Sequence, residues 1–188
     1  MKNFYERLLQ RSNAVTNLIT DRIRPLKNEQ LSWKEHKKKW SLIEVVSHLN
    51  KVYDQYLTNF EKAILPAPNS DKEMEKYQHT LLGRLSIYSM KPKGLKRRFK
   101  MKTFDFFEPD GQASTNEIIE TFLANKEKFN ALVREARLRD LRDIKMPTAL
   151  GEKMKFYVPE CFDFIISHEE RHVVQLEMIL SKMVEQKI

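Results

Sequence analysis

Two histidines lie four residues apart near the end of the chain, in the segment HEERH of residues 168–172. Residues four apart on an α-helix are neighbours on one face, with Cβ atoms about 6 Å apart. Two imidazoles at that spacing can each direct one nitrogen at a common ion, since a metal–nitrogen bond is about 2.0–2.1 Å long. Taken alone, the pair leaves two interpretations open: a metal chelate, or core histidines brought together by chance.

The helix predicted around this pair begins near Pro159 and has an apolar face that includes both histidines. The residues of that face are Cys161, Ile165, His168, His172, Leu176, Ile179 and Met183. Burying two imidazoles costs free energy unless their nitrogens find partners, and a shared metal ion would supply those partners.

The segment also matches H-E-x-x-H, the pattern of zinc proteases. The metzincin form of that pattern requires Gly and His at two later positions, where this chain has Gln175 and Met178. Glu177 and Glu185, which follow the second histidine, lie on the same predicted helix and are badly placed to complete a site. Because no sheet is predicted to bind an extended peptide either, we do not expect a protease.

The third ligand is therefore expected upstream, where His36, His48 and His79 are the remaining histidines. His36 lies in the lysine-rich segment KEHKKKW and is expected to be solvated. His79 lies on a helix that the sequence pattern supports only weakly. His48, in WSLIEVVSHLN, falls at the edge of the apolar face of a strongly patterned helix and is the best candidate.

Helix depth supports the same choice. His48 is seven residues past the helix cap at Ser41, about 10 Å along the axis at 1.5 Å per residue, and His168 is nine residues past Pro159. If the two helices begin at the same end of the protein, His48 and His168 lie at similar depths along them. The sequence therefore predicts a three-histidine metal site made of His48, His168 and His172.

Four long helical patterns position these residues. They run from about Asn3 to Arg24, from Ser41 to the stop at Pro66 and Pro68, from Ser114 to the charged stretch 134–145, and from Pro159 onward. The second and third begin with capping boxes, Ser41 with Glu44 and Ser114 with Glu117. Residues 69–113 form a less regular connection, with a short helix predicted from Glu73 to Met90.

Strand signals are too few for a sheet, so residues 1–188 are predicted as a single all-α domain. Its predicted architecture is a four-helix bundle with a long connection between helices two and three.

Composition limits the class of protein. With 188 residues and 41% apolar side chains, the chain has enough material for one globular domain. No run of residues is long and apolar enough to span a membrane, and the first residues do not read as a secretion signal.

The single cysteine, Cys161, suits a reducing compartment, and we expect a soluble cytoplasmic protein. About 10 Å of helix separates Cys161 from His168, so we expect a buried hydrophobe there and not a ligand.

The order of these histidines resembles that of the DinB-like (DinB/YfiT) superfamily. The resemblance rests on WSLIEVVSHLN, with Trp40 and His48, and on MPTALGEKMKFYVPECFDFIISHEERHVVQLE, with His168, His172 and Gln175. It covers nearly the whole chain, and the middle residues, about 69–113, depart most. The resemblance implies a four-helix bundle, a divalent metal ion on three histidines and often a homodimer.

The chemistry that the resemblance implies is broader. Some members of the superfamily are thiol-S-transferases that use low-molecular-weight thiols, some resemble isomerases, some are described as hydrolases, and many have no known substrate. Three neutral histidines leave a Zn²⁺-like ion with an open position, where a water or a thiol can be deprotonated. We expect a metal-dependent hydrolase or low-molecular-weight-thiol transferase that acts on a small molecule. Zn, Ni, Fe and Cu all remain candidates, because histidine suits each of them.

The residues between the two histidines have different expected roles. Glu169 falls near the apolar face by helical phase, where it can orient a ligand or act as a catalytic base. The alternative, that Glu169 turns outward at the edge of the bundle, stays open. Glu170 and Arg171 fall on the polar side and are expected at the surface.

Two other classes of function also stay open. One is a metal-binding bundle without catalysis that its ion stabilises. The other rests on residues 91–102, KPKGLKRRFKMK, in which seven of twelve residues are basic, in a chain of net charge +8. Such a stretch can bind nucleic acid or an anionic surface. Most charge runs are simply solvated, and we favour that interpretation here.

Overall fold

The computed structural model describes residues 3–72, 74–94, 103–109, 113–149 and 151–188. Within these residues the helices are α1 (Phe4–Leu18), α2 (Asn28–Ser32), α3 (Leu42–Ile64), α4 (Leu81–Met90), α5 (Thr115–Ala136) and α6 (Val158–Glu185). The strands are β1 (Lys145–Thr148) and β2 (Gly151–Tyr157). The chain is thus mostly helical, as predicted, with one small sheet added. None of the described helices is both long enough and apolar enough to cross a bilayer.

The four long helices begin at the residues that the sequence predicts. Asn3 caps α1, and Ser41 caps α3 in a capping box in which its backbone N–H donates to Glu44 at 2.8 Å. Ser114 caps α5 by accepting from the backbone N–H of Glu117. Helix α3 packs against α5 and α6, and α1 packs against the same two helices. The first helical pattern continues past α1 as a π-helical turn, Ile19–Ile23.

Aromatic side chains fill the space between α3, α5 and α6. The rings of Phe60 and Phe162 are stacked, with centroids 4.2 Å apart. Phe129 meets both edge-on, at 5.8 Å and 5.5 Å. Because large buried rings dominate the energetics of a core, this contact fixes how the two helices that carry the histidines face each other.

The prediction that no sheet is present was wrong. Strands β1 and β2 pair antiparallel, with Met146 opposite Phe156. These two side chains are buried, whereas five residues of β2 are exposed in succession, so the sequence has no clear alternation there. The hairpin leads directly into α6, whose Val158 N–H donates to the carbonyl of Ile144 at 2.9 Å. The hairpin therefore fixes the start of the helix that carries two of the histidines.

The short helix predicted within residues 69–113 is present, but it begins at Leu81 and not near residue 73. Thr80 caps this helix, α4, and its backbone N–H donates to the buried carboxylate of Glu160 at 2.6 Å. A Cβ at Gly83 would lie 2.3 Å from the same carboxylate. Helix α4 thus sits so close to the first turn of α6 that a side chain at residue 83 would displace the Glu160 carboxylate. Of the basic stretch 91–102, residues 95–102 lie outside the described part of the chain.

We expect the substitution Gly83→Ala to lower the melting temperature, although alanine favours a helix by about 1 kcal/mol. The added methyl group forces the Glu160 carboxylate off the Thr80 N–H, and overpacking of this kind costs about 1–3 kcal/mol. Thermal unfolding measures the change. The matched control is Ser86→Ala on the same helix, which should change stability by less than about 0.5 kcal/mol. A Gly83→Ala protein as stable as this control would contradict the close packing.

Candidate metal centre

The structure brings the three predicted histidines together. His48 lies in the second turn of α3, and His168 and His172 lie one turn apart in the middle of α6. The Nε2 atom of His168 is 3.3 Å from Nε2 of His48 and 3.2 Å from Nε2 of His172. One ring nitrogen from each histidine lies within 4.8 Å of the other two. This convergence confirms that the two helices present their imidazoles at the same depth.

Two of the three rings are oriented by hydrogen bonds at their outer nitrogens. His48 donates from Nδ1 to the carbonyl oxygen of Phe107 at 2.8 Å. His172 donates from Nδ1 to the side-chain oxygen of Gln175 at 3.1 Å. Both acceptors are oxygens without a proton, so Nδ1 carries the hydrogen in each ring. In the neutral ring, Nε2 then carries a lone pair that faces the other histidines.

Burial keeps all three rings neutral. It lowers the pKa of His48 below its ordinary value, with the nearby charge of Lys51 adding to the effect. Burial and the neighbouring rings lower the pKa of His168 to about 3 and that of His172 well below its ordinary value. Neutral imidazole is the form that binds a metal ion.

The arrangement fits a metal ion better than it fits hydrogen bonds within the cluster. The Nε2 atoms of His48 and His172 both carry lone pairs, and His168 can donate its single ring hydrogen to only one of them. A cation between the three nitrogens satisfies all of these lone pairs at once. His168 then keeps its hydrogen on Nδ1, a buried atom without a hydrogen-bond partner among the described residues. A set of three neutral nitrogens suits Zn, Ni, Fe and Cu.

Trp40 forms one side of the cluster. Its ring centroid is 5.0 Å from that of His48, and the ring stacks over His172 at 6.3 Å. Trp40 and Gln175 also line a cleft of about 230 Å³, whose other walls are Glu35, Lys39, Met178, Ile179, Ser181 and Lys182. The same two side chains therefore contact the histidines and border a space that a small molecule can occupy.

The glutamate between the two histidines is buried and does not turn outward. Glu169 is 1% exposed, and its carboxylate accepts hydrogen bonds from the hydroxyl of Tyr53 and the ammonium of Lys126. Of the two orientations that the sequence left open, the inward one is observed. A role for Glu169 as a base stays a prediction, and its carboxylate is already bonded to two partners within the core.

Among the other residues of α6, Glu170 and Cys161 match their predictions and Arg171 does not. Glu170 is partly exposed and pairs with Arg11 at 2.7 Å, as a residue on the polar side should. Arg171 was expected at the surface, and this was wrong: it is 5% exposed, because the long α6 is covered on more than one side. Cys161 is buried, and burial raises the pKa of its thiol far above the ordinary value, in agreement with a hydrophobic role.

The other histidines lie outside the cluster. His36 is exposed, and its Nδ1 accepts from the backbone N–H of Lys38 at 3.2 Å. The ring of His79 lies 3.1 Å from the carboxylate of Asp163, on a different part of α6.

The sequence did not reveal the carbonyl of Phe107 or the buried partners of Glu169. A backbone carbonyl leaves no signal in a sequence, but a lysine within an apolar stripe, such as Lys126, does.

A family model described as the DinB superfamily matches residues 13–176, a span that contains all three histidines. Among curated proteins and among solved structures, no match was found.

The lowered histidine pKa values predict that the metal-free protein loses stability as the pH falls. Below about pH 6.5 the unfolded chain protonates these histidines, whereas the folded chain keeps them neutral down to the lowered pKa, about 3 for His168. Unfolding therefore takes up protons in this range, and the free energy of unfolding falls by about 1.4 kcal/mol per pH unit for each proton. Urea titrations of chelator-treated protein between about pH 6.5 and pH 4 measure this slope. The variant His168→Asn should show a shallower slope than the unsubstituted protein, and equal slopes would contradict the burial of a neutral ring.

Proposed function

The chain belongs to the DinB superfamily, and from this premise we propose that it is a metal-dependent enzyme that holds a divalent ion on Nε2 of His48, His168 and His172. The observation that carries the proposal is the convergence of three neutral imidazole nitrogens at 3.2 Å and 3.3 Å, two of them oriented through Nδ1. The four long helices that surround them fit a four-helix bundle, the architecture that places such sites between facing helices.

The reaction class that best suits this site is hydrolysis or the transfer of a low-molecular-weight thiol. A divalent ion held by the three histidines would supply an open position where a bound water or thiol becomes acidic enough to lose its proton near neutral pH. The residues of the chain orient the three histidines and bind the substrate. The Phe107 carbonyl and Gln175 hold two of the rings in place, and Trp40 covers the cluster on one side. Such partners of the ligands typically change metal affinity or activity about 10–100-fold when they are removed.

The cleft beside Trp40 is the proposed site for the body of a small substrate. Trp40, Met178 and Ile179 offer apolar contact, while Lys39 and Lys182 place positive charge at the rim and Glu35 places one negative charge there. Because Trp40 and Gln175 contact the histidines directly, a molecule in this cleft lies next to the cluster. A small amphipathic molecule fits this lining better than a polymer does.

We expect protein purified without a histidine tag to contain about one divalent ion per chain. The single substitutions His48→Ala, His168→Ala and His172→Ala should each lower metal affinity by more than about 10-fold, because each removes one of three ligands. Elemental analysis and chelator competition measure the effect. The matched control is His36→Ala, which removes an exposed histidine and should leave the metal content unchanged. Unchanged metal content in His48→Ala would contradict the proposed site.

A second experiment separates an enzyme from a metal-stabilised bundle. The metal-loaded protein is screened with ester and amide substrates, and with low-molecular-weight thiols together with electrophilic acceptors. Turnover that a chelator abolishes and added metal restores supports the proposal. A melting temperature that falls with chelator, without turnover in any assay, favours the bundle without catalysis, because an ion that binds only the folded state stabilises it.

A further inference from the structure

One polar side chain from each of the four long helices meets in the centre of the protein. These are Ser12 of α1, Tyr53 of α3, Lys126 of α5 and Glu169 of α6, each at most 1% exposed. We call this set the core polar cluster. A lysine and a glutamate are almost never this deeply buried unless they are paired, so the cluster calls for a physical explanation.

The hydrogen bonds of the core polar cluster join all four helices. The Lys126 ammonium donates to both carboxylate oxygens of Glu169, at 2.9 Å and 3.1 Å, and to the hydroxyl of Ser12. Three acceptors therefore use the three hydrogens of the ammonium. The Tyr53 hydroxyl donates to Glu169, and the Ser12 hydroxyl donates to Asn130 at 2.6 Å.

Stability alone does not explain the core polar cluster. A buried ion pair gains little over apolar residues of the same volume, because desolvation of the two charges offsets their attraction. Such a cluster has strict geometric requirements, however, because every buried donor and acceptor must stay within hydrogen-bond distance. What it can contribute is a fixed relative position of the helices that it joins.

The helices joined in this way are the ones that carry the metal ligands. Tyr53 is five residues after His48 on α3, and Glu169 directly follows His168 on α6. Successive helical residues point about 100° apart, so Glu169 anchors α6 on a different side from the histidines. An anchor on that side fixes the rotation of the helix and hence the direction of both imidazoles.

We propose that the core polar cluster is a positioning device that sets the rotation of α3 and α6, so that the three histidines converge before an ion binds. Tyr53, Lys126 and Glu169 are positioning residues in this account, and they act on the ion only through the helices. The inference rests on the proposed metal site and adds to it the residues that determine its affinity.

The test replaces the cluster by apolar residues of similar volume, in the triple variant Tyr53→Phe, Lys126→Met and Glu169→Leu. We expect this protein to fold with a melting temperature close to that of the unsubstituted chain, because no buried charge is left unpaired. Its affinity for Co²⁺, measured by titration of the metal-free protein, should fall about 10–100-fold. The visible absorption spectrum of bound Co²⁺, which reports ligand geometry, should also change. A loss of stability alone would not alter that spectrum.

The matched control is Ile64→Val, a core substitution at the far end of α3 that costs about 0.5–1.5 kcal/mol and should leave Co²⁺ affinity and spectrum unchanged. If the triple variant does not fold, Tyr53→Phe alone is measured, since it removes one hydrogen bond and introduces no charge. If the triple variant, or Tyr53→Phe in its place, binds Co²⁺ with unchanged affinity and an unchanged spectrum, the inference is overturned. Failure of the unsubstituted protein to bind Co²⁺ would instead overturn the proposed function.

Discussion

Three neutral imidazole nitrogens held against one another inside the protein are the constraint on which this structure depends. Each ring gives up hydration on burial, and the three Nε2 atoms cannot satisfy one another by hydrogen bonds alone. The arrangement persists because groups outside the cluster hold the rings: the Phe107 carbonyl for His48 and the Gln175 side chain for His172. The helices behind the rings must be fixed as well, since a small rotation of either helix would separate the nitrogens.

Helix α6 meets this requirement through contacts on several sides. At its start, the hairpin of β1 and β2 and the carboxylate of Glu160 attach it to neighbouring segments. On the side that faces α1, Arg11 bonds to Asp163 at 2.6 Å and to Glu170 at 2.7 Å. Toward the core, Glu169 joins it to α3 and α5. The histidines occupy the remaining side, so the surrounding contacts determine where they point.

The sequence predicted the parts of the site that depend on helix geometry. Capping residues such as Ser41 mark where helices begin, and a rise of 1.5 Å per residue then sets how deep His48 lies. Other parts depend on contacts between distant segments, which no local pattern records. The hairpin was missed because its buried residues, Met146, Thr148 and Phe156, are too few to show an alternating pattern over both strands. The Phe107 carbonyl was missed because any residue supplies a carbonyl.

The segment HEERH shows why a motif must be read together with its helical phase. Its histidines face His48, whereas the glutamate between them points about 100° from His168 and about 60° from His172 around the helix axis and bonds to Tyr53 and Lys126. A match to H-E-x-x-H fixes the spacing of the histidines and leaves open what the glutamate contacts. What the glutamate contacts depends on α5, where Lys126 lies in the apolar stripe between Phe122 and Phe129. A charged residue in a stripe of aromatic residues requires a buried partner of opposite charge, and among the described residues Glu169 is the carboxylate that meets it. The lysine in one helix therefore determines the environment of the glutamate in the other, and through it the direction of the histidines on either side.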